Sequence, residues 1–341
     1  MVLSRCLGLF GVALLCAPAG DVHAETVEEF YLGRGIAFIV GAGVGGGYDA
    51  YARPLARHMG KYIPGQPKIV VQNLEGGGGL RATNYLFNTA ARDGSVIGMV
   101  QSGTPFAPLL GMDAAKFDAT KFNWLGSMNK EGAVCVVWGE ARVKKFEDVF
   151  THELLVGGTG AGSQMETFPL MLRNLFGARM KLVSGYKGGT EIFVAMERGE
   201  VEGRCAATMP AIRSLRPDWL TRNKARILVQ TSLEASPELP GVPNALDFAR
   251  SQEQKQVMEL LFAAQGLDRP LFTPPGVPAE RVRVLREAFE QTLRDPEFLA
   301  EATAMQLVLQ FVSAEEVAAI VARVYALPVA VREAAQRAIQ P

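Results

Sequence analysis

Apolar residues in this chain alternate between short runs and fourth-position stripes. Ile36–Val40 is an apolar run too short for a helix and rich in branched side chains, which predicts a buried strand. Gly41-Ala42-Gly43-Val44-Gly45-Gly46-Gly47 follows, with five glycines in seven residues. From Asp49 onward, Tyr51, Leu55 and Met59 recur every fourth position, and Arg53, Arg57 and Lys61 recur on another, solvated face, predicting a helix. Asp49 is expected to cap it by accepting an N–H two or three residues further on, and so to hold the loop. Pro64, Gly65 and Pro67 then stop the helix. The pattern repeats with a strand at 68–72, a glycine loop at 73–79, a helix at 80–91, an Asp93-Gly94 turn and a strand at 96–101. Ser102-Gly103-Thr104-Pro105 ends that strand, and a domain crossing is placed near Trp124.

The second half has the same pattern. A strand at 154–156 leads into the small-residue loop 157–163 and a helix at 164–176, apolar at Met165, Phe168, Leu172, Leu175 and Phe176. Ser163 with Glu166 three residues on predicts a capping box. A strand at 181–184, a loop at 185–190, a helix at 191–198 and a strand at 201–207 follow, and 227–230 reads as a returning strand. The tail is helical, with restarts after Pro274-Pro275-Gly276 and at Asp295-Pro296, and a cap at Ser313.

Strand, glycine loop and helix in succession predict an α/β fold with parallel strands. Its loops then leave the carboxyl edge, where such folds bind ligands. Free N–H groups at a helix start suit an anion, and glycine lets it approach. Gly41-x-Gly43-x-x-Gly46 matches the dinucleotide fingerprint, but the stretch 66–72, about 20 residues past the loop where a ribose-binding acid belongs, holds no acidic residue, the next being Glu75. A P-loop would end in Gly-Lys-Ser/Thr, and this loop ends in Gly47-Tyr48-Asp49. A plain tight turn is the remaining alternative for a single loop; two loops at one edge point more strongly to a ligand.

Composition narrows the class. The chain has 341 residues, enough for two domains, with 48% hydrophobic and 21% charged residues, as in ordinary globular proteins. Lys+Arg and Asp+Glu both number 35, and this balance argues against nucleic acid as a partner. Arg5, the apolar stretch 6–19 and Val22-His23-Ala24 predict a secretory leader over 1–24, cleaved after Ala24, and hence an exported protein. Lipidation at Cys16 is the alternative. Cys135 and Cys205, 70 apart, form no metal motif, and two buried free thiols are expected rather than a bridge. Three histidines and no Ser/His/Asp arrangement give hydrolase chemistry little support. No metal or cofactor is expected.

With these elements in order, the chain resembles the substrate-binding proteins of tripartite tricarboxylate transporters, the Bug receptors. Gly46-Gly47-Tyr48-Asp49-Ala50-Tyr51-Ala52-Arg53 resembles their Gly-Gly-x-x-Asp-x-x-Ala-Arg element, and Val71 to Gly79 their Val-x-Asn-x-x-Gly-x-Gly-Gly. Asp93-Gly94, Gly185-Tyr186-Lys187-Gly188, Gly199-Glu200-Val201-Glu202, Pro274 to Pro278 and Asp295-Pro296-Glu297 resemble further elements of that family, in the same order. Phe38 to Ala42 replaces its usual Pro-Phe-Pro-Pro.

The resemblance implies a two-domain type II periplasmic-binding fold, a Venus flytrap with hinge strands, here 25–124 with 231–341 as one domain and 125–230 as the other. It implies a periplasmic receptor that closes on a small organic anion, often a carboxylate, and delivers it to membrane permease subunits without catalysis. A monomer is expected. By position, Gly45, Gly46, Gly47, Tyr48 and Asp49 form the grip of the first domain, with Ser102 and Gly103 beside them. Gly160, Ser163 and Gln164, with Tyr186, Gly188 and Gly189, form that of the second. Lys187 either neutralises the anion or is solvated. Arg204, in a cleft-side strand, is a further candidate because a guanidinium suits a carboxylate. An exported α/β enzyme acting on a small anion, and a ligand sensor for a membrane partner, remain alternatives.

Overall fold

The computed structural model describes residues 25–160, 163–186 and 188–341. The leader, its cleavage point and Cys16 lie outside the described residues, as do Ala161, Gly162 and Lys187. In chain order the first elements are α1 (Val27–Tyr31), β1 (Ile36–Val40), α2 (Gly47–Met59), β2 (Ile69–Asn73), α3 (Leu80–Asn88), β3 (Val96–Met99) and β4 (Asn123–Asn129). There follow β5 (Ala133–Trp138), β6 (Leu154–Gly157), α4 (Gln164–Phe176), β7 (Met180–Val183), α5 (Gly189–Glu197), β8 (Gly203–Ala207), α6 (Met209–Leu215), α7 (Asp218–Thr221) and β9 (Ala225–Thr231). The chain ends with α8 (Gln252–Phe262), β10 (Asp268–Thr273), α9 (Ala279–Thr292), α10 (Pro296–Ala304), α11 (Ala314–Tyr325) and α12 (Val329–Ala338).

Two five-stranded sheets result, ordered β2-β1-β3-β10-β4 and β7-β6-β8-β5-β9. Both are mixed, with helices on their faces, so the central strands are apolar throughout: β3 is wholly buried, and β1 is buried except at Ala37. Tyr51, Leu55 and Met59 of α2 are buried against this sheet as their spacing predicts. Phe168, Met171 and Leu172 of α4 are buried likewise, with the Phe168 ring 5.2 Å from Phe262 of α8.

Strand direction positions the site. In the first sheet β1, β2, β3 and β4 point one way and β10 the other; in the second β6, β7, β8 and β9 agree and β5 opposes them. Residues 130–132 join the carboxyl end of β4 to the start of β5. Because β5 is antiparallel, its start lies at the carboxyl ends of β8 and β9, with Ala133 opposite Thr231 and Val134 opposite Ala207. Asn129 to Ala133 spans at most about 14 Å of chain. The carboxyl edges of the two sheets therefore face each other across this link. A second tie crosses beside it, where Glu131 N–H donates to Gln265 O and Gln265 Nε2 donates to Thr231 O.

Two expectations change. The crossing is at 130–132, not near Trp124: β4 stays in the first sheet, pairing with β10 from Asn123–Thr273 to Asn129–Asp268. Trp124 is buried, its ring 5.1 Å from Phe272, as core rather than linker. Cys135 and Cys205 are joined by a disulfide rather than left as free thiols. They lie on the paired strands β5 and β8, at a register shift between Val134 and Val136 that brings the two Cα atoms within 3.9 Å. The tail also reaches further than expected: α12 packs on α8 and α4, and Asn174 Nδ2 donates to Ala338 O and Gln340 O.

Candidate functional site

The glycine loop after β1 is held from within α2. Gly46 is the N-cap, so Asp49 is the third helical residue rather than the cap. It cannot cap forward; it reaches back to accept Gly45 N–H at 2.8 Å, where Gly45 has φ +76°. Arg53 Nε donates to the same oxygen at 2.8 Å, and Asn73 Nδ2 to the other at 2.9 Å. Arg53 thus supports the loop while its side chain stays 43% exposed on the solvated face. Burial pushes the Asp49 carboxyl up, and the hydrogen bonds from Arg53, Gly45 and Asn73 more than reverse this, holding it below the usual range. Asp49→Ala strands three donors and is expected to cost about 1–3 kcal/mol in urea unfolding. The sign with pH follows. This contribution is complete above about pH 4 and is lost as pH falls through the lowered folded value.

The second lobe uses the same device. Ser163 is the N-cap of α4, and its hydroxyl makes no cap hydrogen bond and has no partner among the described residues. Glu166, third in the helix and buried, instead accepts Gly160 N–H at 2.6 Å, so the expected capping box does not form. Ser102 N–H is also committed, donating to Tyr48 Oη at 2.9 Å. Several N–H groups expected to grip an anion are thus satisfied internally. Those left are in the first helical turns: Gly47, Tyr48 and Asp49 of α2, Gln164 and Met165 of α4, and Gly189 and Thr190 of α5 donate to no group among the described residues. Such groups, with the helix dipole behind them, are anion donors.

Charged side chains complete the mouth. Asp268 and Arg269, at the start of β10, stand at the carboxyl edge of the first sheet and form an ion pair. The Arg269 guanidinium lies 4.5 Å from the Tyr48 ring centroid and 4.7 Å from that of Tyr51. Tyr48 Oη, 3.5 Å from Asp268 Oδ1, is pushed up to about 12 by burial and by Asp268. Tyr48 is thus a built-in support, not an exposed loop aromatic. Neither Asp268 nor Arg269 was expected from the sequence; the signal was a charged pair opening the apolar run Leu271-Phe272. Glu131, half-buried in the 130–132 link, takes a hydrogen bond from the Thr208 hydroxyl, and burial raises it to about 6.

Arg204 lies on β8 of the second lobe. It is 7% exposed and stacked 4.6 Å from the Phe193 ring centroid. Its guanidinium fills the space above Gly189, where a Cβ would come within 2.3 Å of Cζ. Nη2 donates to Ala206 O at 3.2 Å; Nε has no partner, and no carboxylate pairs with it among the described residues. Burial alone lowers it to about 10, so it remains a cation at neutral pH. A buried guanidinium without a counter-charge is costly unless something supplies one.

The expected residues thus gather in two sets. Gly45, Gly46, Gly47, Tyr48, Asp49 and Ser102 cluster on the first lobe, with Gly103 beside them in open space. On the second, Gly188 and Gly189 adjoin Arg204, and Gly160, Ser163 and Gln164 begin α4. Tyr186 N–H donates to Gly158 O and its ring covers Gly157. The group His58, Asp295 and Glu297 is occupied by Lys61, whose Nζ forms an ion pair with Asp295 at 2.5 Å and donates to Glu297 at 2.8 Å.

Two α/β lobes with facing carboxyl edges define the periplasmic-binding-protein fold. Among solved structures, a ligand-free TctC solute-binding protein from Polaromonas matches at TM-score 0.67 and 18% identity, covering 91% of this chain and 99% of its own. MatC from Rhodopseudomonas palustris, with bound malate, matches at 0.61 and 19%, covering 90% and 99%. A further R. palustris protein, with adipate, matches at 0.59 and 20%, covering 89% and 97%. No family model and no curated protein matches the sequence.

Proposed function

We propose that this protein is an exported receptor for a small organic anion, closing its two lobes on a carboxylate and passing it to the permease subunits of a tripartite tricarboxylate-type transporter. The observation that carries the reading is the facing pair of carboxyl edges, each ending in helix starts whose N–H groups are unpaired among the described residues, with Arg204 buried on the second lobe and paired with no described carboxylate. Malate and adipate in two proteins of the same fold support a carboxylate as the ligand class. The leader expected over 1–24 supports a periplasmic location, and no helix among the described residues is long and apolar enough to cross a membrane. Binding requires no bond to be made or broken, and a monomer suffices because both halves of the site come from one chain.

Thermal unfolding with a panel of short organic acids tests this. An acid at a hundred times its Kd should add about 2.7 kcal/mol of stability, seen as a raised Tm. A flat response across mono-, di- and tricarboxylates would remove the basis for the proposal.

A further inference from the structure

The two walls of the mouth differ in charge. On the first lobe the obvious cations are already neutralised: Arg269 by Asp268, and Arg53 by Asp49. Each helix start carries one acid in its first turn, Asp49 in α2, Glu166 in α4 and Glu191 in α5, so these cancel in the comparison. Two carboxylates are left over. Glu131 Oε1 has no partner, and the Glu75 side chain lies against Gly43, where a Cβ would come within 2.7 Å of Oε2. Tyr48 Oη accepts from Ser102 N–H, so its own hydrogen is free to turn toward Asp268. Beside the unpartnered Arg269 Nε and the α2 N–H groups, this wall therefore carries two carboxylates with no described cation paired to them.

The second wall instead holds a buried cation that no described carboxylate pairs. Arg204 Nε is an unpartnered donor on a side chain more than nine-tenths buried, placed at the start of α5 beside the free N–H groups of Gly189 and Thr190. The two observations are independent, one a buried cation that no described carboxylate pairs, the other a helix start whose first two N–H groups donate to no described residue.

We infer that the second lobe takes the ligand's carboxylate on Arg204 and the α5 start, while the first lobe takes a hydrogen-bond-donating end at Glu131. The preferred ligand is then a monocarboxylate carrying a hydroxyl or ammonium group, not a dicarboxylate. This rests on the receptor reading above and narrows it. A second carboxylate would face Glu131 and Asp268, and like charges brought together in a closing site disfavour the wrong ligand strongly.

Calorimetric titration of the native protein with matched straight-chain acids tests it, the far end being methyl, hydroxyl, ammonium or carboxylate at constant length. The hydroxyl- or ammonium-ended acid is expected to bind at least about tenfold more tightly than the dicarboxylate. Glu131→Gln, nearly isosteric, should bring the two within roughly threefold, and Arg204→Lys should weaken every acid. Tightest binding by the dicarboxylate overturns the inference and leaves the receptor reading standing. So does an unchanged preference in Glu131→Gln. Binding of none of the acids overturns both. If either variant fails to fold, the native series alone decides.

Discussion

Arg204→Met is expected to yield a protein that is more stable without ligand and unable to bind. Arg204 is 7% exposed, and among the described residues its guanidinium has one hydrogen bond, to Ala206 O, and one ring contact, to Phe193. A stacked cation contributes about 2 kcal/mol at best, whereas an unpaired buried charge costs several. Methionine keeps much of the volume and the contact with Phe193. A gain on the order of 1–4 kcal/mol in urea unfolding is therefore expected, together with loss of carboxylate binding by calorimetry. Lower stability with intact binding would show that Arg204 is structural and that the anion goes elsewhere.

The second large effect concerns the Cys135–Cys205 bond. Its closed loop of 70 residues corresponds to about 4 kcal/mol of lost freedom in the unfolded chain. The double serine variant is expected to lose about that much in chemical unfolding, and the parent to lose it when reductant is present during refolding. Binding should weaken as well. Cys205 adjoins Arg204, and Ala206, whose carbonyl holds the guanidinium, has φ +53°, a left-handed conformation unusual for alanine. A double variant as stable as the parent would mean that β-sheet pairing alone fixes this bulge.

Much of the fold was legible because its signals are local. Ile36–Val40, the glycine loop behind it and the Tyr51, Leu55, Met59 stripe each follow from a few neighbouring residues. What failed depends on contacts across the chain. Trp124 to Met128 looks like a passage between domains until β10, more than a hundred residues later, supplies its partner. The spacing of Cys135 and Cys205 says nothing of a register shift that brings them together. The candidate site shows the same limit. The glycines mark the ends of strands at the facing edges, but Asp49 and Glu166 turn back to occupy Gly45 and Gly160 N–H, and no spacing rule distinguishes that from forward capping. Arg204 was legible as a lone cleft-side arginine, whereas Asp268 and Arg269 gain their meaning only from the sheet edge they stand on.

The clasp of Asn174 on the carbonyls of Ala338 and Gln340 has a practical consequence. Asn174 lies near the far end of α4, about 15 Å along the helix from the start that borders the mouth. A fluorophore or surface anchor attached after Pro341 would therefore ride with that helix, well behind the opening. Immobilised in this way, the molecule keeps the facing sheet edges clear for flow experiments.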